Sequence, residues 1–336
     1  MKRIEATSEE SKKALSLLTK AQDVFVRKLT ELNRAAGFSG QFSSVEWYRN
    51  NGLFGGGERL EAPKGEFFNT ASVNFSQVQY ESDETKSLRS ASALSTIIHP
   101  NNPFAPSFHM HVSLTEMKTG QSYWRIMADL NPSIPNEKDK AVFDRALLDV
   151  ARELYLEGKT QGDKYFYIPT LNKHRGISHF YLEKFTDGSL ARPFLEKMID
   201  TYVNILVGYI KKSEITPEQK QVQEDYHTLY FYQVLTLDRG TTSGLLVHNE
   251  NDTGILASLP NKINKKLLKS WEHITPHPQN ELVSGLIKNL KDANNISDQV
   301  KCELASAVRS HFKKYPEALN LQASGNVIPP TVQNHK

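Results

Sequence analysis

The stretch His99–Leu114, HPNNPFAPSFHMHVSL, holds three histidines, three prolines and two adjacent asparagines in sixteen residues. Its second half sets the period of the central chain. Phe108, Met110, Val112 and Leu114 alternate with Ser107, His109, His111 and Ser113. That two-residue repeat is a strand with one apolar and one polar face. The prolines stiffen the approach to it. The next segment, QSYWRIMADL, repeats the pattern, with Trp124, Ile126, Ala128 and Leu130 opposite Tyr123, Arg125, Met127 and Asp129. TEMKTG joins the two, with Gly120 in the turn. Paired as a hairpin, they present two histidines, an arginine and an aspartate on one polar face.

Outward from this hairpin, FFNTASVNFSQVQY alternates in the same way, with Val73 and Phe75 against Asn74 and Ser76. KYFYIPT and GISHFYLEKF read as strands. YHTLYFYQVLTLDRGT reads as a long strand ending at Gly240, with Tyr230, Tyr232, Thr236 and Asp238 on one face. At the start, Thr7 and Glu10 have capping-box spacing. Ala14, Leu18, Ala21, Phe25, Leu29 and Leu32 then form the stripe of a helix that stops near Gly37. NNGLFGGGERL reads as a turn or a close backbone approach; it lacks the lysine and Ser/Thr of a phosphate-binding loop. KAVFDRALLDVARELYLEG is helical, ending at Gly158, and Pro193 suits the first turn of a helix running through Tyr209. After Asn261 the pattern is helical again. Strands in the middle and helices around them define an α+β fold with a largely antiparallel sheet. One domain over residues 1–336 is expected, with a helical N-terminus at 7–37, a sheet core at about 46–260 and a helical tail at 261–320.

The chain has 336 residues, 38% hydrophobic and 24% charged, with a net charge of +3. Acids and bases are interleaved, which argues against nucleic acid as the main partner. Cys302 is the only cysteine, so an intrachain disulfide and a cysteine-cluster metal site are excluded. It reads as a half-buried thiol on a helix. No apolar run reaches the roughly eighteen residues of a membrane span. The start MKRIEATSEESKKAL lacks the apolar core of a secretory signal, so a cytoplasmic location is expected.

The polar strand faces have two readings. The simpler one is the solvated side of an antiparallel sheet. Against it, the residues are His, Ser, Tyr, Asp and Arg rather than the Lys and Glu of a wet face, which favours a cleft for an anionic ligand. His109 and His111, two apart, could take a divalent metal with Asp129, and His99 with His109 is a second metal pair. No HExxH or zinc-type spacing exists, so acid/base or hydrogen-bonding histidines are favoured. His227, His273, His277 and His311 read as surface residues. LDRGTTSGLL places Asp238 beside Arg239. That is either a strand-end ion pair and turn, or a carboxylate for substrate N–H groups beside a guanidinium for a substrate carboxylate.

With these segments in order, the chain resembles the oxygen-dependent coproporphyrinogen-III oxidase family, as a divergent member. HPNNPFAPSFHMHV is similar to that family's H-P-x-N-P-x-x-P-x-x-H-x-N, ADLNP to D-L-T-P, and LDRGTTSGL to Y-D-R-G-T-x-F-G-L. GDKYFYIPTLNKHRGI, GILASLP and GGGERL with FFNTASVNFSQV resemble further blocks. The resemblance implies a large flat sheet flanked by helices on both sides, and a homodimer. It implies an oxidoreductase of heme biosynthesis that uses O2 as co-substrate. Two propionates of a tetrapyrrole, coproporphyrinogen III, become vinyls with no organic cofactor or obligatory metal. It implies catalytic roles for His109, Asp129, Asp238 and Arg239, and substrate contacts at Ser95 and Arg175.

Other positions depart from the family pattern. His111 and Ser113 stand where it has asparagine and arginine. Arg125, Ile126 and Met127 stand where it has three glycines, and Asn249, Glu250 and Asn251 where it has Gly-x-Arg. His111, Ser113, Arg125, Asn249 and Asn251 are therefore assigned to the substrate as replacements. The alternative is a paralogue on the same scaffold, either an oxygenase for another substrate, cofactor-free or with a His-bound metal, or a non-catalytic tetrapyrrole binder.

Overall fold

A computed structural model describes residues 2–211, 214–248, 250–290, 295–328 and 331–335. The chain opens with helix α1 (Glu9–Ala35), whose stripe Leu18, Phe25 and Leu29 is fully buried. Its cap is Ser8, whose side chain accepts from the Ser11 amide, and not Thr7. Six strands follow: β1 (Ser43–Tyr48), β2 (Gly55–Glu61), β3 (Phe68–Gln79), β4 (Leu88–Pro100), β5 (Ser107–Met117) and β6 (Ser122–Asn131). Then come α2 (Glu137–Ala151), α3 (Tyr155–Phe166), the short strands β7 (Tyr167–Ile168) and β8 (Lys173–His174), and β9 (Ser178–Phe185). The rest is helical among the described residues: α4 (Ala191–Val207), α5 (Pro217–Thr236), α6 (Arg239–Val247), α7 (Asp252–Ile255), α8 (Lys265–Glu272), α9 (Gln279–Asn289), α10 (Asp298–Lys314) and α11 (Thr331–Asn334).

Seven strands form one sheet in the order β1-β2-β3-β4-β5-β6-β9, with every neighbour antiparallel. The strand alternation sorts its two sides. Val73, Phe75, Leu94, Phe108, Met110, Val112, Ile126 and Ala128 point to one side and pack with residues of α1, α2 and α4 into the main core. A second core joins α5, α6, α8, α9 and α10 across the other side. Helices thus flank the sheet on both faces, as the α+β reading requires. β2 passes so close to its neighbours that a Cβ on Gly57 would collide with the Phe75 carbonyl and the Trp47 ring. The glycine run is therefore a strand of close approach.

Three expectations are corrected. The stretch from Tyr226 to Thr236 is helix, not strand, and the sheet ends at Phe185 rather than extending to residue 260. α5 is buried on all sides over this stretch, so its Tyr, Phe and Val residues show no helical stripe. Its start signal was upstream: Thr216 and Gln219 form a capping box, with Pro217 in the first turn. Next, α2 does not run to Gly158. The chain breaks at Arg152, where φ is +49°, and resumes as α3. Gly158 and Gly162 lie inside α3, where a Cβ would strike Phe180 and His179, so they bring helix and sheet together. Finally, Cys302 is exposed, while His227 and His311 are buried.

Candidate active site

The β5–β6 register places His109 opposite Asp129, His111 opposite Met127 and Ser113 opposite Arg125. All lie on the side of the sheet away from the main core. His109 Nδ1 is 2.7 Å from Asp129 Oδ1. Asp129 is completely buried, and its Oδ2 accepts from Arg175 Nη2 at 2.7 Å and Asn131 Nδ2 at 2.5 Å. Burial pushes the Asp129 carboxyl up, but the Arg175 and His109 charges outweigh it and hold the group below its usual range. An ionised carboxylate only accepts, so His109 Nδ1 carries a proton and Nε2 is left for a ligand. The His109 ring lines a cavity. Arg175 is itself locked: Nη1 donates to Gln233 Oε1 at 2.6 Å, and the guanidinium lies 4.6 Å from the Phe166 ring centre and 5.0 Å from that of Tyr230.

One step along β5, His111 is held between two hydroxyls, Ser95 Oγ at 2.6 Å from Nδ1 and Ser113 Oγ at 3.0 Å from Nε2. Burial, with Arg125 and His109 nearby, keeps its pKa well below the ordinary histidine value, so the ring is neutral. Arg125 reaches β9, where Nε donates to Glu183 Oε2 at 2.5 Å. The Tyr181 hydroxyl donates to the same oxygen. Burial opposes the Arg125 charge, but the Glu183 carboxylate more than restores it. Asp238 caps α6, accepting from the Thr241 amide at 2.7 Å and from the Tyr165 hydroxyl at 2.9 Å. Burial and Asp238 push the Tyr165 hydroxyl well up, so it remains a donor.

These groups surround a cavity of about 320 Å³. Its floor is the sheet, paved with small residues including Ser72, Ser76, Ala91, Ala93 and Ser95. Its roof is Tyr230 and Val234 of α5, Gly240, Thr241, Ser243 and Gly244 of α6, and Ile255 of α7. At ordinary strand spacing the floor is about 14 Å wide from β3 to β6, and about 20 Å long from His109 to Thr115 along β5. Small side chains pave the floor mainly over β3 and β4, while His109 and His111 of β5 and Tyr123, Arg125 and Met127 of β6 rise into the cavity from the other half.

The structure brings together His109, Ser95, His111, Ser113, Arg125, Arg175, Asp238 and Asn251 as lining residues. Asp129 sits behind His109, enclosed by its three donors, and is not part of the wall. Arg239 is also outside the wall. Asp238 is the cap and Arg239 the first helical residue, so their side chains diverge, and Arg239 Nε turns to the Ala323 carbonyl at 3.4 Å. Asn249 lies outside the described residues. His99 is fully buried, with Nδ1 on Ser107 Oγ at 2.8 Å and aromatic rings of Tyr226, His227 and Tyr230 around it. Among the described residues no three His, Cys, Asp or Glu side chains converge to hold a metal ion, so neither the His99–His109 pair nor the His109–His111–Asp129 set forms such a centre.

Sequence reasoning missed Glu183, Tyr165, Thr241, His248 and His335, all in the wall. Alternation along GISHFYLEKF would have placed Glu183 on the polar face with His179 and Tyr181. Tyr165 was hidden by reading the end of α3 as strand. No local pattern marks His335.

The chain matches the coproporphyrinogen III oxidase family over residues 13–292. It is 27% identical over 306 residues to the mitochondrial oxygen-dependent coproporphyrinogen-III oxidase of Rattus norvegicus, covering 82% of this chain and 66% of the rat protein. The Homo sapiens protein of that name is 27% identical over 281 residues, covering 74% of this chain and 60% of its own length. The oxygen-dependent coproporphyrinogen-III oxidase of Prochlorococcus marinus (strain MIT 9515) is 27% identical over 317 residues, covering 80% and 87%. The chain thus spans just under two thirds of the rodent mitochondrial relatives and most of the bacterial one.

Proposed function

Because the chain belongs to the coproporphyrinogen III oxidase family, we propose that it carries out oxygen-dependent oxidative decarboxylation of coproporphyrinogen III to protoporphyrinogen IX. The observation that carries this reading is the His109–Asp129 pair at one end of a wide cavity whose β3–β4 floor is mostly small residues. At each of two propionates, the substrate side chain loses CO2 and a β-hydrogen to leave a vinyl group, and O2 takes the two electrons and two protons to become H2O2. O2 is the co-substrate, and the reading assigns no resident cofactor or metal.

In this reading His109 Nε2 exchanges the proton with substrate, and Asp129 is a positioning residue that fixes its tautomer. Asp238, which lines the cavity, is the carboxylate for pyrrole N–H groups. Arg125 faces the position of Ser113 across the β5–β6 pair, so a guanidinium is present one strand away from where the family pattern places one. It is assigned to a propionate, with Ser95, His111 and Ser113 as neutral partners. Arg239 is assigned to the structure around Ala323. We read the enzyme as a cytoplasmic homodimer; among the described residues no helix is long and apolar enough to cross a membrane.

Coproporphyrinogen III prepared under argon and then exposed to air with the protein tests this. Divinyl product, oxidised and read by porphyrin fluorescence after chromatography, should grow with enzyme concentration. A folded protein that yields only coproporphyrin by autoxidation refutes it.

A further inference from the structure

The far end of the cavity carries a second cluster that the proposed chemistry does not use. Val78, Ala91, Thr115 and Tyr123 form one cross-strand row there, six residues along each strand from the row of Ser72, Ile97, His109 and Asp129. Over this row stand His248, just after α6, and His335, just after α11, both lining the cavity. Arg49 lies behind them. Its Nη1 donates to His248 Nδ1 and to the Val247 carbonyl at 3.1 Å, and its guanidinium lies 5.3 Å from the Tyr80 ring centre. Its hydrogen bonds therefore go to an imidazole and a carbonyl, not to a carboxylate. His335 Nδ1 is 3.0 Å from the Tyr80 hydroxyl, and its ring is 5.8 Å from that of His248. Asn334 Nδ2 donates to the Tyr123 hydroxyl at 3.4 Å.

We propose that His248 and His335, backed by Arg49, form an anion subsite that takes a carboxylate of the ligand at the end of the cavity opposite His109. The tetrapyrrole reading decides only which anion arrives there; the subsite follows from the cluster. Arg49 Nη1 is closer to His248 Nδ1 than to Nε2, which is 3.5 Å away, so Nδ1 accepts and Nε2 carries the proton as a donor. The charges that reach the imidazoles are positive, Arg49 for both and Lys86 for His335. The acids at this end bear on other groups: Glu250 on Arg49, and Asp83 on Tyr80, with the Asp83 carboxylate taken by Thr85. Burial and these cations push His335 down to about 4 and His248 well below its ordinary value. Without an anion both rings are neutral near pH 7. A bound carboxylate favours imidazolium at His335, whose Nδ1–H then donates to the Tyr80 hydroxyl, while His248 stays neutral with Nδ1 accepting from Arg49; binding therefore takes up a proton and strengthens as pH falls from 7.5 to 6.

Two probes test the subsite on the intact chain. Coproporphyrin III binding is followed by fluorescence at pH 7.5 and 6, and the imidazole nitrogen and proton resonances of His248 and His335 are followed with inorganic phosphate. Affinity for coproporphyrin III should rise several-fold at pH 6. His248→Gln or His335→Gln should weaken it about tenfold, with melting temperature unchanged, and His335→Gln should also flatten the pH response. Phosphate should shift both resonances. Unshifted resonances, or variants that bind coproporphyrin III as tightly as the parent, overturn the subsite. Phosphate shifts without any coproporphyrin III binding sustain the subsite and count against the tetrapyrrole reading.

Discussion

Asp129→Asn separates the scaffold from the chemistry. In the native chain Asp129 is fully buried and balances Arg175, whose side chain is only 2% exposed. The substitution keeps the shape of the side chain and removes its charge. Arg175 then keeps a neutral oxygen at best, with Gln233 and two aromatic rings as its other neighbours. Breaking one side of a buried ion pair costs about 3–5 kcal/mol. For a chain of 336 residues that corresponds to a fall of roughly 4–7 °C in melting temperature, provided unfolding is two-state. The pH dependence carries a second signature. The folded Asp129 carboxyl titrates below its unfolded value. Its contribution is therefore complete above the ordinary carboxylate range, about pH 4, and is lost as pH falls through the depressed folded value. The gap between parent and variant should be full at pH 6 and narrow as pH drops below about 4. Circular dichroism melts over that range measure both effects. A variant that melts within about 1 °C of the parent at pH 6 would refute the buried Arg175–Asp129–His109 arrangement.

Three further outcomes follow from the same geometry. His109→Gln should lower kcat by about a hundredfold or more, the scale of a lost acid/base group, while the melting curve stays near the parent's. Arg125→Met alone should destabilise by about 3 kcal/mol or more, because it leaves the buried Glu183 carboxylate unpaired. Adding Glu183→Gln should recover stability in urea titrations but leave KM raised, and recovery of both would remove Arg125 from substrate binding. Gly57→Ala should cost about 1–3 kcal/mol by forcing β1 and β3 apart, read as a lower urea midpoint.

The β5–β6 hairpin was legible because its two faces face different environments. Phe108, Met110 and Val112 are buried in the main core, and His109 and His111 face the cavity, so alternation alone assigned sides and predicted Arg125 and Asp129 as their companions. α5 was not legible from its own residues, because a helix buried all round looks like any β-rich apolar run. Its cap at Thr216 was the readable signal. The error carried into the site: Tyr232, placed with Tyr230 by strand alternation, points instead to Thr275 and Trp271, while Tyr230 and Val234 share the cavity side one helical turn apart. Adjacency misled in a similar way at Asp238 and Arg239, since a helix cap and the residue after it do not share a direction. Alternation placed Asp129 on the cavity side of the sheet, but it is completely buried and outside the wall. Only the fold shows that three donors, from β5, β6 and the segment before β9, enclose it. His248 and His335 meet through tertiary structure alone, and no spacing in the sequence joins them.

The most direct test of the central claim is single-enzyme turnover with coproporphyrinogen III labelled at the propionate carboxyl carbons. In air, the account predicts release of two labelled CO2 molecules per ring converted to the divinyl product, none under argon, and at least a hundredfold slower release with His109→Gln. A folded protein that binds the labelled substrate yet releases no CO2 in air, or a His109→Gln variant that releases it at the parent's rate, would contradict it.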